Sequence, residues 1–147
     1  MSRLQLALNV SDLDDAVAFY SKLFQTAPAK RRPGYANFAV AEPPLKLVLF
    51  ENPKDAGTLN HLGVEVGSAA EVVSATRRLA AEGLATEVEE GTDCCHARQD
   101  KVWVQGADTR WEVYTVLADL PATKSVDPVS PCCGSHPSGA PTVCGAS

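Results

Sequence analysis

The sequence lacks the features that mark membrane, secreted or nucleic-acid-binding proteins. No apolar run approaches the ~20 residues that span a bilayer. The N-terminal residues have neither the apolar core nor the cleavage site of a signal peptide. Basic residues form only the short runs Lys30–Arg32 and Arg77-Arg78, and the net charge is −5. We interpret these runs as a solvated loop and a solvated helix face. The sequence therefore predicts a cytoplasmic protein with no nucleic-acid or membrane partner.

Common catalytic motifs are also missing, but cysteines are present in an unusual arrangement. There is no Ser-His-Asp order, phosphate loop, GxGxxG or CxxC pair. Four of the five cysteines form the adjacent pairs Cys94-Cys95 and Cys132-Cys133. In a reducing compartment such pairs favour a shared soft ligand such as As(III), Sb(III) or Cd(II) over a strained disulfide. The alternative for Cys94 and Cys95 is two small residues lining a core, and we interpret the neighbouring His96 as a loop residue.

The hydrophobic pattern predicts a strand–helix–strand order that occurs twice. Alternating apolar residues predict strands at 4–10, 35–40, 45–51, 58–66, 85–90, 99–105 and 110–117. Helical spacing predicts one helix over 11–24, with Ser11 and Asp12 as candidate caps, and a second helix between Ser68 and Gly83. The second half therefore has the order strand, helix, three strands. We predict the same order for the first half, in which the pattern locates two strands after the helix.

The two halves also resemble each other in sequence, since residues 4–10 align on residues 60–66 without a gap. A unit of this size is too small to bury its sheet alone, so we expect the halves to join around a shared concave surface. We predict an α+β domain over 1–118, with modules of about 1–55 and 56–118. Residues 119–147 are rich in Pro, Ser and Gly and predict a disordered tail. Within it, Cys132, Cys133 and Cys144 are candidates for auxiliary soft-metal ligands.

The repeat predicts a metal site between the halves. Gln5 and His61 hold equivalent places in the opening strands, and Lys46 and Glu112 are matched in the closing strands. Protonated Lys46 cannot ligate, so the predicted ligands are Gln5, His61 and Glu112. Such an N/O set with open positions suits a catalytic Fe(II), Mn(II), Ni(II) or Zn(II) ion. Taken singly, each residue is also explained as an ordinary polar or surface side chain.

Six segments resemble the vicinal oxygen chelate superfamily, which includes glyoxalase I, extradiol dioxygenases and bleomycin-resistance proteins. They are Leu6–Val10, Pro33–Phe38, Leu59–Val66, Thr92–Cys95, Gln99–Trp103 and Trp111–Tyr114. The Cys-Cys followed by Gln-Asp-Lys is similar to one subgroup, the cadmium-induced proteins and organoarsenical C–As lyases. The resemblance covers about residues 3–117, and the tail lies outside it.

The resemblance implies two tandem βαβββ modules forming a cupped mixed sheet around Fe(II). It implies that His61 and Glu112 hold the iron and that Cys94 and Cys95 bind the trivalent arsenical. Gln5 departs from the histidine of the lyases, although glutamine serves as a metal ligand elsewhere in the superfamily. The implied activity is a dioxygenase-like C–As lyase that uses Fe(II) and O2, releases arsenite and confers arsenic resistance.

Three alternatives remain at this point. The first is a protein that sequesters cadmium or arsenite without turnover, which Gln5 and the second thiol pair favour. The second is a glyoxalase-like or other metalloenzyme of the superfamily, against which Lys46 and the cysteine pair count. The third is a drug-binding protein without a metal, against which the presence of His61 with Glu112 counts. A homodimer is a further expectation, because dimers are common among relatives.

Overall fold

The computed structural model of the chain describes residues 2–94, 96–106 and 108–121, whose strands form one curled mixed sheet of eight strands. The first half comprises β1 (Arg3–Val10), α1 (Leu13–Leu23), β2 (Lys30–Arg32), β3 (Tyr35–Val40) and β4 (Leu45–Glu51). The second comprises β5 (Leu59–Glu65), α2 (Ala69–Ala81), β6 (Thr86–Cys94), β7 (Ala97–Gln105) and β8 (Arg110–Asp119). A 3₁₀ turn at Pro53–Asp55 lies between the halves. The predicted α+β class is confirmed.

Both helices begin at side-chain caps and cover the outer face of the sheet. The Asp12 carboxylate accepts a hydrogen bond from the Asp15 amide, and the Ser68 hydroxyl accepts one from the Glu71 amide. These bonds satisfy amide groups that the first helical turn leaves without partners. Between residues 2 and 121, no helix within the described part of the chain is long and apolar enough to cross a membrane.

Strict alternation along the strands separates the outer face from the inner one. In β3, Ala36 and Phe38 pack outward with Leu13 and Val17 of α1, and Tyr35 points to the inner face. Burying each large apolar side chain contributes on the order of 1.5–3 kcal/mol. The outer core therefore fixes the register, and the inner face is left to carry polar groups.

The two halves are related by a local two-fold arrangement about the β1–β5 ladder. The strand order is β2-β3-β4-β1-β5-β8-β7-β6, so each half contributes four adjacent strands. In the antiparallel centre, Gln5 pairs with Gly63 and Ala7 pairs with His61. These two pairs exchange under a shift of 56 residues, the separation of Gln5 and His61. Gln5 and His61 therefore occupy equivalent positions.

The match between Lys46 and Glu112 is wrong. In the β1–β4 ladder Ala7 pairs with Val48, and in the β5–β8 ladder Gly63 pairs with Glu112. Because the same shift takes Ala7 to Gly63, the counterpart of Glu112 is Val48. Lys46 lies one inward-facing position earlier on β4, so an apolar side chain stands at the fourth ligand position.

Two segments interpreted as loops are strands. Lys30–Arg32 forms the edge strand β2, paired with β3. The polar segment around the cysteine pair is also shorter than expected, since β6 runs to Cys94 and β7 begins at Ala97. Cys94 pairs with Ala97, and His96 has a positive φ of 63° in the turn between them. The sheet curls so far that Lys30 of β2 forms an ion pair with Asp119 of β8.

Candidate active site

A cavity of about 230 Å³ lies within the concave face of the sheet. Its lining draws on both halves, with Gln5 from β1, His61 from β5 and Glu112 from β8. Lys46 and Gln99 also line it. The structure therefore brings the three predicted metal ligands into one cavity.

The polar atoms of these three side chains lie within hydrogen-bond or ion-pair distance of one another. The Gln5 Nε2 donates to Glu112 Oε1 at 2.7 Å and lies 3.2 Å from His61 Nε2. The His61 Nε2 lies 3.3 Å from Glu112 Oε1. All three side chains are buried. A nitrogen, a carboxylate and an amide therefore point at one small volume.

Gly63 allows this approach, and no sequence signal beyond its place in a strand indicates this role. Gly63 pairs with Gln5 on one side and with Glu112 on the other. A Cβ at this position would lie 2.9 Å from Glu112 Cγ and 3.4 Å from Gln5 Nε2. The missing side chain leaves the space in which Gln5 and Glu112 meet across β5.

Replacing Gly63 by alanine is expected to weaken metal binding by at least about tenfold, because the new methyl displaces the Glu112 side chain. Overpacking should cost about 1–3 kcal/mol of unfolding free energy. Mn(II) binding, followed by the electron paramagnetic resonance of free Mn(II), measures the loss. Gly67→Ala is the matched control, because its Cβ would meet only the end of the Glu71 side chain. Equal Mn(II) affinity in both variants would contradict the spacing argument.

Glu112 is held ionised by a buried lysine. Lys101 Nζ donates to Glu112 Oε2 at 2.8 Å, and the two residues are 1% and 2% exposed. Burial alone would raise the pKa of Glu112, but the Lys101 charge and the contacts with His61 and Lys101 together more than offset it, so this pKa lies well below its usual range. Glu112 can therefore act as an anionic ligand. The sequence placed Lys101 in a motif but did not identify its partner.

A second carboxylate, Glu65, lies beside the same cavity. It accepts a hydrogen bond from Tyr114 at 2.8 Å and forms ion pairs with Lys46 at 3.0 Å and Arg3 at 3.1 Å. Burial raises the pKa of Glu65, but Lys46, Tyr114 and Arg3 together lower it below its ordinary value. Burial and the charges of Glu65 and Glu112 raise the pKa of Tyr114, so its hydroxyl stays protonated.

The Glu65 cluster should make stability depend on pH in the acid range. The folded pKa of Glu65 lies below its ordinary value of 4.5. Its stabilising effect is therefore present above that value and is lost as the pH falls through the folded pKa. Glu65→Gln is expected to destabilise the protein at neutral pH, with a difference from the parent that shrinks in acid. Urea unfolding of both proteins across this range checks the sign. A difference that grows in acid would contradict it.

The donor set fits a divalent cation, provided that glutamine is one of the ligands. Among the described residues, no group of three or more His, Cys, Asp and Glu side chains could hold a metal. Gln5 supplies the third donor if its amide turns over, since Oε1 and Nε2 then exchange places. The Tyr114 hydroxyl donates its proton to Glu65, so its oxygen can accept from Nε2 of the turned amide, which keeps a partner. Gln5, His61 and Glu112 then form an N/O set of the kind that binds Fe(II) or Mn(II).

Cys94 lies beside this cavity but does not open into it. Its side chain is 0% exposed and packs in a cluster with Ala7, Tyr35, Val48 and Phe50. Three members of that cluster, Tyr35, Val48 and Phe50, also line the cavity. Cys94 therefore shares an apolar cluster with part of the cavity wall.

The remaining predicted thiol ligands cannot be located in the fold. Cys95 lies outside the described residues, and so do Cys132, Cys133, Cys144 and the predicted tail from 122 onward. The two-thiol site and the tail stay predictions.

His96 is not a simple loop residue. It is buried against the Tyr35 ring at a centroid distance of 4.9 Å, and its Nδ1 has no hydrogen-bond partner among the described residues. Its carbonyl accepts from the Leu120 amide at 3.0 Å and from Lys30 Nζ at 3.4 Å. Burial and the charges of Arg32 and Lys30 lower the pKa of His96. These contacts hold the turn next to Cys94 against β2 and the end of β8.

Known proteins resemble this chain both in sequence and in fold. The family model of the Glyoxalase/Bleomycin resistance protein/Dioxygenase superfamily matches residues 3–110. Cadmium-induced protein CadI of Mycobacterium tuberculosis is 68% identical over 120 residues, 81% of this chain and 79% of its own. A trivalent organoarsenical cleaving enzyme of Thermomonospora curvata is 57% identical over 141 residues, 95% of this chain and 93% of its own.

Solved structures with low sequence identity share the fold. An extradiol ring-cleaving dioxygenase from B. fuscum superposes with a TM-score of 0.58 at 17% identity, over 82% of this chain and 34% of the dioxygenase. A Mn(II)-bound glyoxalase from Novosphingobium aromaticivorans gives a TM-score of 0.57 at 17% identity, over 86% and 44%. At these identities the likeness concerns the arrangement of strands and helices alone.

Proposed function

The chain belongs to the glyoxalase/bleomycin resistance protein/dioxygenase superfamily, and we propose that it cleaves the carbon–arsenic bond of trivalent organoarsenicals with Fe(II) and O2. The observation that carries the proposal is the meeting of Gln5, His61 and Glu112 in a cavity whose wall packs against Cys94. The cleaving enzyme of T. curvata, which aligns with 95% of this chain, supports the choice of reaction.

Gln5, His61 and Glu112 would hold the iron. Bound there, Fe(II) would supply reactivity toward O2, which amino-acid side chains lack. The ionised state of Glu112, maintained by Lys101 at 2.8 Å, provides the negative charge of the ligand set. Mn(II), Ni(II) and Zn(II) suit the same donors, so the metal is part of the proposal.

The thiols would hold the arsenic. Cys94 and Cys95 would form two As–S bonds with the trivalent arsenical, releasing two water molecules from its hydroxyl groups. This attachment would fix the organic substituent near the cavity. The substrate would then already be in place for the reaction and would not have to be encountered from solution. For methylarsonous acid and one O2, the products arsenous acid and formaldehyde balance in atoms and electrons. Because Cys94 is 0% exposed, binding requires the β6–β7 turn to shift.

Sequestration of cadmium or arsenite is the second candidate. It is favoured by the relative that is 68% identical, which is named for its induction by cadmium, and by the thiol pair in the C-terminal segment. A four-ligand glyoxalase site is less well supported. Val48, the counterpart of Glu112 in the first half, cannot bind a metal.

One assay separates cleavage from sequestration. The reduced full chain is loaded anaerobically with Fe(II), mixed with methyl- or phenylarsonous acid and then exposed to O2 or kept anaerobic. Oxygen-dependent release of arsenite, with formaldehyde in equal amount from the methyl compound, supports the proposed reaction. Tight arsenical binding without oxygen-dependent arsenite would overturn it in favour of sequestration.

A further inference from the structure

We propose that Thr58, Asn9 and Asn60 form a hydrogen-bonded relay that fixes the tautomer of His61 and so presents its Nε2 to the metal. The proposal rests on the metal site proposed above, but it concerns residues outside the ligand set. The three residues act through His61 and are positioning residues.

The relay is a continuous chain of side-chain hydrogen bonds. The Asn60 Oδ1 lies 2.7 Å from His61 Nδ1, and the Asn60 Nδ2 donates to Asn9 Oδ1 at 3.0 Å. The Asn9 Nδ2 then donates to Thr58 Oγ1 at 3.0 Å. The Thr58 hydroxyl donates to the Asp55 carbonyl at 2.6 Å. Four bonds thus join the imidazole to a backbone carbonyl.

The direction of every bond follows from that last acceptor. A carbonyl oxygen can only accept a hydrogen bond, so the Thr58 hydroxyl donates its proton to the Asp55 carbonyl and accepts from the Asn9 side chain. The Asn9 amide is then oriented with Oδ1 toward Asn60, which orients the Asn60 amide in turn. The Asn60 Oδ1 can only accept, and therefore His61 Nδ1 carries the proton.

Backbone bonds keep the relay in place. The backbone N–H of Asn9 donates to the backbone carbonyl of Thr58, and the backbone N–H of Gly57 donates to the backbone carbonyl of Asn9, both at 3.0 Å. Asn9 and Asn60 are only 5% and 8% exposed. Few water molecules can therefore reach their side-chain amides and stabilise the reversed orientation. Thr58 is exposed, and the relay therefore ends at the surface.

The consequence lies at the other ring nitrogen. With the proton on Nδ1, the Nε2 lone pair faces Gln5 Nε2 at 3.2 Å and remains available to a metal ion. In the opposite tautomer, Nε2–H would point at Glu112 Oε1, 3.3 Å away, and would occupy the ligand position with a proton. Second-layer partners of metal-binding histidines typically change metal affinity by about 10–100-fold.

The test reads the tautomer directly in the metal-free full chain. Long-range ¹H–¹⁵N correlation spectra of ¹⁵N-histidine-labelled protein, recorded well above the ordinary histidine pKa, distinguish Nδ1–H from Nε2–H. The chain has three histidines, and the His61→Gln spectrum assigns the signal. We expect the Nδ1–H form in the parent. An Nε2–H form in the parent overturns the proposal, whatever any variant does.

Two variants then test the role of Asn60. Asn60→Leu should give a mixture of tautomers and weaken Mn(II) binding by roughly 10–100-fold. Asn60→Asp keeps an acceptor at Nδ1 and should retain both the tautomer and most of the affinity. Asn52→Leu is the matched control, because Asn52 bonds to Asp55 through the side-chain Oδ2, outside the relay.

Unchanged tautomer and unchanged Mn(II) affinity in Asn60→Leu overturn the proposal. Failure of C–As cleavage with the expected tautomer and Mn(II) results would overturn only the proposed reaction. The two outcomes are therefore distinguishable.

Discussion

Replacing Glu112 by glutamine is expected to weaken Mn(II) binding by at least about a hundredfold, the upper end of what second-layer changes cost, and to abolish arsenite release. The variant removes the anionic member of the ligand set. It also breaks the ion pair between Glu112 and the Lys101 ammonium, which is 1% exposed. Breaking a buried ion pair by removing one partner costs about 3–5 kcal/mol. Titration with Mn(II) and urea unfolding measure the two effects separately.

A double variant separates loss of the ligand from loss of stability. Lys101→Met with Glu112→Gln removes both charges, so most of the unfolding free energy should return. Mn(II) binding should stay lost, because the carboxylate is still absent. A double variant that binds Mn(II) as tightly as the parent would refute the role of Glu112 as a ligand. Recovery of neither property would point to a purely structural role.

Replacing Cys94 by alanine is expected to weaken phenylarsine oxide binding by about 10²–10⁴-fold, because a two-point attachment becomes a single one. Arsenite release should fall with it, whereas Mn(II) affinity should not change. Fluorescence or calorimetric titration with phenylarsine oxide measures the first effect. An undiminished arsenical affinity would remove Cys94 from the substrate site.

The choice of alanine follows from the surroundings of Cys94. Its side chain packs among apolar and aromatic groups. Serine at this position would bury a hydroxyl at a cost of about 1–3 kcal/mol. Comparing Cys94→Ala with Cys94→Ser therefore distinguishes loss of the thiol from loss of packing. His61→Gln is the reciprocal test, since it should lose Mn(II) binding and keep the arsenical.

The elements that sequence patterns located well are those whose environment is local. The bounds of β3 and β4, at 35–40 and 45–51, agree with the alternating pattern. One face of each strand packs under α1 and the other faces the cavity, so the pattern has a single explanation. β2 was missed because all three of its residues are basic, and its place is set by distant partners such as Asp119. The polar residues around the β6–β7 turn predict an exposed loop, whereas Cys94 and His96 are buried.

The repeat predicts the site residues correctly only where the two halves align without a gap. The alignment of 4–10 on 60–66 matched Gln5 with His61 correctly, because both lie in the central ladder. The chain between equivalent positions is eight residues longer in the second half, because Ala7 to Val48 spans 41 residues and Gly63 to Glu112 spans 49. Matching by residue character therefore selected Lys46, where the strand register gives Val48. The contacts of Lys101, Tyr114 and Asn60 depend on which strands lie side by side in the sheet. A single sequence does not specify the distances between these side chains.

The position of β1 in the sheet has a consequence for the order of synthesis. Of the eight strands, β1 is synthesised before the others, yet it lies between β4 and β5 at the centre of the sheet. The first half can pair its own strands as soon as β4 has been made. Gln5 and His61 must nevertheless wait for Glu112, which arrives on β8. A metal that needs all three ligands therefore stabilises only the finished fold, and a nascent chain ending before β8 has no complete site in which to bind it.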